Sequence, residues 1–303
     1  MAKRKSILLY GRTRAGKTTQ IGAFAEWGYS TTGKVTRIYT CDRGGVDAIQ
    51  PYIDLGIVEV VTIGDTSPWI FLNKASQGMV RNDKNEWVVD KDRNANVFCY
   101  VFESMTAFAD AMMNDLAIQA ANNVNIGGGA NINFDVTDGK EKLKISGNNM
   151  SHYNVVQMRI TDEVWRSQKL DADYILWTAS VSKDDDTTSS NKVLGPEVIG
   201  KKLTAEVPRW FQYTFRIDCT PASVIPPKEE SHILYLGNSL DQSAGNAISL
   251  GNTRVPMDSA KLPTKLEPAD LSKAVQMIEN ASGDALTKIK ARLAAAGKKP
   301  LKG

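Results

Sequence analysis

The sequence predicts an α/β fold built on a doubly wound, mostly parallel sheet. Three observations carry it. Apolar strand-like runs alternate with amphipathic helical stretches from Ser6 to Ala179. One of those runs, 57–63, is β-branched almost throughout, as in a strand buried on both faces of a parallel sheet. A glycine-bounded octet, Gly11-Arg12-Thr13-Arg14-Ala15-Gly16-Lys17-Thr18, stands between the first apolar run and the first helix.

In order, 6–10 reads as a strand, and 17–27 as a helix whose inner face is Ile21, Phe24, Ala25 and Trp27. A second strand at 35–41 is followed by a helix over 46–55 that closes near Gly56. Asp65-Thr66-Ser67-Pro68 supplies capping residues and a first-turn proline for a helix running to about Val80. The charged stretch 81–96 departs from the pattern as a small hairpin centred on Glu86-Trp87-Val88-Val89. A core strand at 97–102 leads through Ser104 into a long helix with Phe108, Met112, Leu116 and Ala120 along one stripe.

The Asn- and Gly-rich segment 122–149 offers little that can form a core and is expected to be a long mobile insertion. Ser151 caps a helix to about Ser167, and 172–179 forms another strand. A polar insertion at 182–191 carries three consecutive aspartates. An antiparallel pair at 211–219 and 232–236, separated by a proline-rich turn, is expected at the sheet edge. Two helices, 268–280 and 284–296, are expected near the end, followed by a basic tail. The expected division is a core over 1–236 with insertions at about 81–96, 122–149 and 182–191, and a loop-rich, helical extension over 237–303.

At 303 residues and 42% hydrophobic composition the chain can bury a full core without disulfides or a structural metal. Cys41, Cys99 and Cys219 lie far apart in apolar runs and read as small buried hydrophobes; His152 and His232 are too distant in sequence to predict a metal site or a triad. No run spans a bilayer and the amino terminus lacks a signal-peptide core, so a cytoplasmic protein with no membrane partner is expected. Lys+Arg 37 against Asp+Glu 34 leaves +3, too mild to imply nucleic acid by itself. Basic ends, Lys3-Arg4-Lys5 and the tail from Lys288 to Lys302, are the better candidates for tracking a phosphate backbone, with ordinary solvated charge as the alternative.

The octet matches G-x-x-x-x-G-K-T, the P-loop of nucleotide-binding proteins, in the strand-loop-helix setting that the motif requires. Its glycines let backbone N–H groups turn inward around a phosphate, and the helix adds its positive end. Gly11 to Thr18 and the following Thr19 are therefore the expected phosphate-binding residues. Lys17 is placed to bridge β- and γ-phosphate oxygens, and Thr18 to ligate Mg²⁺. Glu103, after five apolar residues at the carboxyl end of a core strand beside the first, is the expected metal-side carboxylate; the alternative is a helix-start acid that favours the dipole. Asp42, after the second strand and before Arg43-Gly44-Gly45, is the expected group to orient or deprotonate water, with turn former as its rival role. Ser180 at a strand end is a weaker γ-phosphate candidate. No guanine-reading motif is found, so ATP is the expected nucleotide.

These features, together with the run Gly195-Pro196-Glu197-Val198-Ile199-Gly200-Lys201-Lys202 through Arg209-Trp210-Phe211, resemble the phage-encoded RecA-like ATP-binding proteins, AAA-type ATPases of phage single-strand annealing and recombination. The resemblance covers about 6–236. It implies a RecA-like P-loop NTPase core, a Mg²⁺-dependent ATPase acting on DNA, single-stranded DNA and recombination or replication proteins as partners, and a homo-oligomer. It places Asp42 at the water-activating position and Glu103 at the strand-end Mg²⁺ carboxylate, where Asp is usual, so slow hydrolysis is expected. It makes Lys201, Lys202 and Arg209 candidates for a basic residue acting in trans. A nucleotide-gated switch with slow turnover and no direct DNA role is the competing reading. A small-molecule kinase fits least, because the insertions supply few arginines.

Overall fold

The computed structural model describes residues 4–42, 44–121, 132–138, 141–147, 150–184, 193–198, 206–220, 223–224, 227–237, 239–241, 247–249, 252–254 and 261–295. In chain order the strands are β1 (Lys5–Gly11), β2 (Val35–Thr40), β3 (Val58–Thr62), β4 (Val80–Arg81), β5 (Trp87–Val88), β6 (Val97–Glu103), β7 (Ile132–Asp138), β8 (Glu141–Gly147), β9 (Tyr174–Ala179), β10 (Val181–Asp184), β11 (Val193–Pro196), β12 (Tyr213–Thr220), β13 (Ser223–Val224), β14 (Pro227–Lys228), β15 (Ser231–Tyr235), β16 (Ser239–Asp241), β17 (Ala247–Ser249), β18 (Asn252–Thr253) and β19 (Lys265–Leu266). The helices are α1 (Lys17–Thr32), α2 (Gln50–Asp54), α3 (Pro68–Ala75), α4 (Lys91–Ala95), α5 (Met105–Ala121), α6 (Met150–Ser167) and α7 (Leu271–Ala295).

The main sheet runs β19-β15-β12-β1-β9-β6-β2-β3. The path from β12 to β3 is parallel, and β15, β18 and β19 add antiparallel pairings at the other side. This is the doubly wound, mostly parallel sheet with an antiparallel edge that the alternation predicts. The pleat sends alternate residues of β1 to opposite layers. Ile7 and Leu9 enter a core with Ile21, Phe24 and Ala25 of α1 and Leu271, Ala274, Val275 and Ile278 of α7. Leu8 and Tyr10 enter the opposite core with Phe108, Met112 and Leu116 of α5 and Val156, Ile160 and Val164 of α6. The expected stripes on α1 and α5 are thus the buried ones, except that Trp27 is only partly buried; the side chain of Ala120 lies outside the described residues.

Several expectations change. β3 is an edge strand with a half-buried pattern, so its β-branched run reflects strand propensity rather than burial on both faces. The β6 strand is not beside β1: β9 lies between them. The expected mobile insertion at 122–149 contains a regular antiparallel hairpin, β7 with β8, whose alternating residues satisfy strand pairing without needing a large apolar content. Likewise β10 pairs with β11 across the polar insertion. The hairpin at 81–96 forms as β4 with β5 but is followed by α4, capped by Asp90, whose side chain accepts from Arg93 N–H. The helix after Pro68 stops at Ala75, and a turn with positive φ at Gly78 follows.

The two expected terminal helices are one 25-residue helix, α7, continuous through Gly283. Its first half packs in the same core as α1, because Leu271, Ala274, Val275 and Ile278 recur at helical spacing. Gln20 ties the two: its amide donates to Ala269 O at 3.0 Å and its carbonyl accepts from Leu271 N–H at 2.8 Å. Among the described residues, no helix is long and apolar enough to cross a membrane.

Candidate phosphate and metal site

The octet folds as the turn between β1 and α1, at the carboxyl edge of the parallel strands. Two glycines decide its shape. A Cβ on Gly11 would lie 2.2 Å from the Ile217 carbonyl oxygen, so only glycine lets β1 run this close to β12. Gly16 has φ +93°, the left-handed region, and occupies the N-cap of α1 without a side-chain cap. The first turn of α1 carries no acidic residue of its own either. Arg12, Thr13, Arg14 and Thr19 are exposed around this opening, whereas Ala15 is buried under it.

Lys17 folds back across the loop and donates to Gly11 O at 2.8 Å and Arg12 O at 3.0 Å. Burial lowers its pKa, while the carboxylates of Glu103 and Glu197 pull it back up. Thr18 Oγ1 donates to Glu103 Oε1 at 2.7 Å, joining the start of α1 to the end of β6. Glu103 is 6% exposed, and its Oε2 has no hydrogen-bond partner among the described residues. Burial pushes its carboxyl up to about 7, against the Thr18 hydrogen bond and the Lys17 charge; the Asp42 charge adds to the rise.

Such an orphaned oxygen is costly unless something cationic meets it. A carboxylate oxygen and a threonine hydroxyl in contact, both hard oxygen donors, fit Mg²⁺. Because β9 separates β1 from β6, these two strands lie about 10 Å apart at ordinary strand spacing, and the Thr18–Glu103 contact joins the start of α1 to the end of β6 across that distance.

Asp42 is exposed just beyond β2, and its Oδ1 accepts from Gly44 N–H at 3.0 Å, the turn-forming contact. Its charge adds to the rise at Glu103. Ser180 is held through its backbone: its N–H donates to Thr106 Oγ1 at 3.0 Å, and its carbonyl accepts from Glu197 N–H at 2.7 Å. Arg209 is exposed, and its carbonyl accepts from Arg254 at 2.7 Å. Lys3, Arg43, Lys201, Lys202 and the tail beyond 295 lie outside the described residues.

Two residues beside the loop were given no role by sequence reasoning. Glu197, just after β11, is pinned by Ser180 and by Thr106 Oγ1, which donates to its carbonyl at 2.8 Å. Burial raises its pKa, Asp110 adds to the rise, and Lys17 opposes it. The run from Gly195 through Glu197 to Phe211 was its only sequence signal. His232, on β15, reaches the loop with Nδ1 3.0 Å from Ala15 O. Nothing in a lone histidine at residue 232 announces contact with residue 15. A separate concavity of about 380 Å³ along β3, lined by Glu59, Asp65, Arg81 and Arg93 among others, includes no P-loop residue.

No protein-family model and no curated protein matches the chain. Among solved structures it is similar to the RadB recombinase, at 14% identity and a TM-score of 0.42 over 82% of this chain and 91% of that one. It is also similar to a KaiC-like protein from the hyperthermophilic archaeon Pyrococcus horikoshii OT3, at 12% identity and a TM-score of 0.41 over 82% of this chain and 88% of that one. The fold itself is a doubly wound α/β fold in which the strand before the glycine-bounded loop and the acid-bearing strand flank one inserted parallel strand, with an antiparallel edge and a carboxy-terminal helix on the α1 face.

Proposed function

We propose that this chain binds ATP with Mg²⁺ at the P-loop and hydrolyses it slowly, in the service of DNA recombination or replication. The Thr18–Glu103 contact, with Glu103 Oε2 buried and unpartnered beside Lys17, carries the nucleotide half. Lys17 is held where its ammonium can leave the Gly11 and Arg12 carbonyls for phosphate oxygens. Thr18 and Glu103 would hold Mg²⁺, whose charge when bound neutralises the phosphates. Asp42, solvent-facing yet electrostatically linked to Glu103, is the group to take a proton from water. Glu197 adds, after Glu103, to the negative field at Lys17. The DNA half rests on the sequence resemblance to phage RecA-like ATPases, as do a homo-oligomer and a basic residue acting in trans.

Slow turnover is what the resemblance implies for Glu103 where Asp is usual; the burial that raises this carboxyl also lets a proton compete with a metal for it. A switch that uses ATP binding to time an assembly would exploit that.

The test is ATP turnover with and without single-stranded DNA, alongside ATP affinity of Lys17→Ala. Stimulation by DNA and loss of binding in the variant are expected. Undiminished affinity in Lys17→Ala would end the P-loop reading. Turnover indifferent to DNA would replace the DNA role with the switch.

A further inference from the structure

Behind the P-loop, on the antiparallel edge of the sheet, Cys219 of β12 and His232 of β15 are cross-strand partners, and Glu230 precedes β15 on the same side. One ligand atom from each lies within 4.8 Å of the others. Glu230 Oε1 is 3.2 Å from Cys219 Sγ and 3.3 Å from His232 Nε2. Ligand atoms about 2.0–2.3 Å from a tetrahedral zinc ion are about 3.2–3.8 Å from one another, so the two spacings to Glu230 Oε1 are those of a coordination sphere, and all three atoms lie within 4.8 Å.

The histidine is oriented for this use. A carbonyl only accepts, so Nδ1 must donate to Ala15 O, and that fixes the tautomer. Nε2 then faces Glu230 Oε1, and in a ring that ligates a metal this nitrogen and the carboxylate oxygen are both acceptors that one cation between them satisfies. A backbone carbonyl on the far nitrogen is the usual outer partner of a metal-bound histidine. Sulfur, nitrogen and oxygen donors together match Zn²⁺ and its tetrahedral substitute Co²⁺ rather than Mg²⁺ or Ca²⁺. The partial exposure of all three side chains leaves an entry path and room for water as a fourth ligand.

We propose that Cys219, Glu230 and His232 form a site for a zinc-type divalent cation, bound to the rear of the P-loop through His232. On binding, a metal–sulfur bond forms and the Cys219 thiol proton leaves to solvent. The ring of His232 also lies against Gly16, where an added Cβ would sit 3.1 Å from Nδ1. Fixing the ring at Nε2 therefore fixes the Ala15–Gly16 turn. That second consequence rests on the nucleotide reading above; the metal site does not.

Cobalt(II) titrated into metal-stripped full-length protein tests it. The expected result is a thiolate-to-cobalt charge-transfer band with intense tetrahedral d–d bands, saturating at one equivalent. Cys219→Ser should abolish the charge-transfer band and Cys41→Ser should keep it. Glu230→Gln should weaken cobalt binding at least about 10-fold, the lower end of the loss from removing even an outer partner. All three residues are at the surface, so unchanged circular dichroism is expected in each variant. No charge-transfer band, or one that survives Cys219→Ser, would overturn the site. If ATP binds, Zn²⁺ should change its affinity at least about 5-fold in the parent and not in Cys219→Ser. An equal affinity with and without Zn²⁺ would overturn the link to the loop while the cobalt spectrum still decides the site.

Discussion

Replacing Glu103 by Gln should stabilise the nucleotide-free, Mg²⁺-free protein at alkaline pH and do little at acid pH. The carboxyl rises from an ordinary value of 4.5 to about 7 on folding, chiefly through burial. Below pH 4.5 it is protonated in both folded and unfolded chains and contributes nothing. Above pH 7 it is ionised in both, and the folded state bears the whole cost of a buried charge. A displacement of roughly 2.5 pH units at 1.36 kcal/mol each is about 3 kcal/mol, of which about 2.5 kcal/mol develops between pH 5 and pH 8. Gln keeps an oxygen for the Thr18 hydroxyl and cannot ionise, though its amide meets no built partner, so the gain at pH 8 should lie between about 1 and 3 kcal/mol. Urea denaturation of both proteins at the two pH values measures it. Mg²⁺ with ATP should then stabilise the wild type at pH 8 and Glu103→Gln much less. A stability difference that is the same at pH 5 and pH 8 would refute a carboxyl held neutral by its surroundings, and with it the idea that a cation replaces the proton.

Other outcomes follow from the same contacts. Asp42→Asn should slow steady-state ATP turnover by about 10²–10⁴-fold while fluorescence titration finds ATP binding little changed, since the residue is exposed and outside the loop. Glu197→Gln should do the opposite, tightening ATP binding, because it removes a negative charge that now acts on Lys17. Gly283→Ala should stabilise the protein by about 0.5–1 kcal/mol in a denaturant titration, because the residue sits inside a continuous helix with nothing within 4 Å of an added Cβ. A loss of stability there would mean that two helices meet at this glycine.

What was legible in the sequence was local. The P-loop, β1 and α1 are adjacent in the chain, and their periodicities and glycines carry their geometry. Glu103 was found because an apolar run ending in an acid places that acid at a strand's end whichever neighbours the strand has. The neighbours were not legible: nothing in 97–103 or 174–179 says that β9 slips between β1 and β6. β3 read as central because β-branched residues suit an edge as well as a core strand. The hairpin at 132–147 was hidden by polar residues that satisfy a ladder through their backbones, and α7 was split at Gly283 because glycine usually marks an end. His232 contacts the loop from 217 residues away in the chain, and Glu197, just after β11, acts on Lys17 by its charge.

The position of β1 has a further consequence for how the protein is made. The strand is flanked by β9 and β12, so the residues that seat it, 174–179 and 213–220, are synthesised about 160 and about 200 residues after the start of the loop. At about 5–20 residues per second, the apolar segment 7–10 waits roughly 8–32 s for its first neighbour and roughly 10–40 s for β12. Until Ile217 arrives, Gly11 has no wall to lean on. A nascent or truncated chain ending before β12 therefore carries the whole phosphate-binding motif yet lacks the sheet that shapes it, and exposes an apolar strand that chaperones or its own copies can pair with.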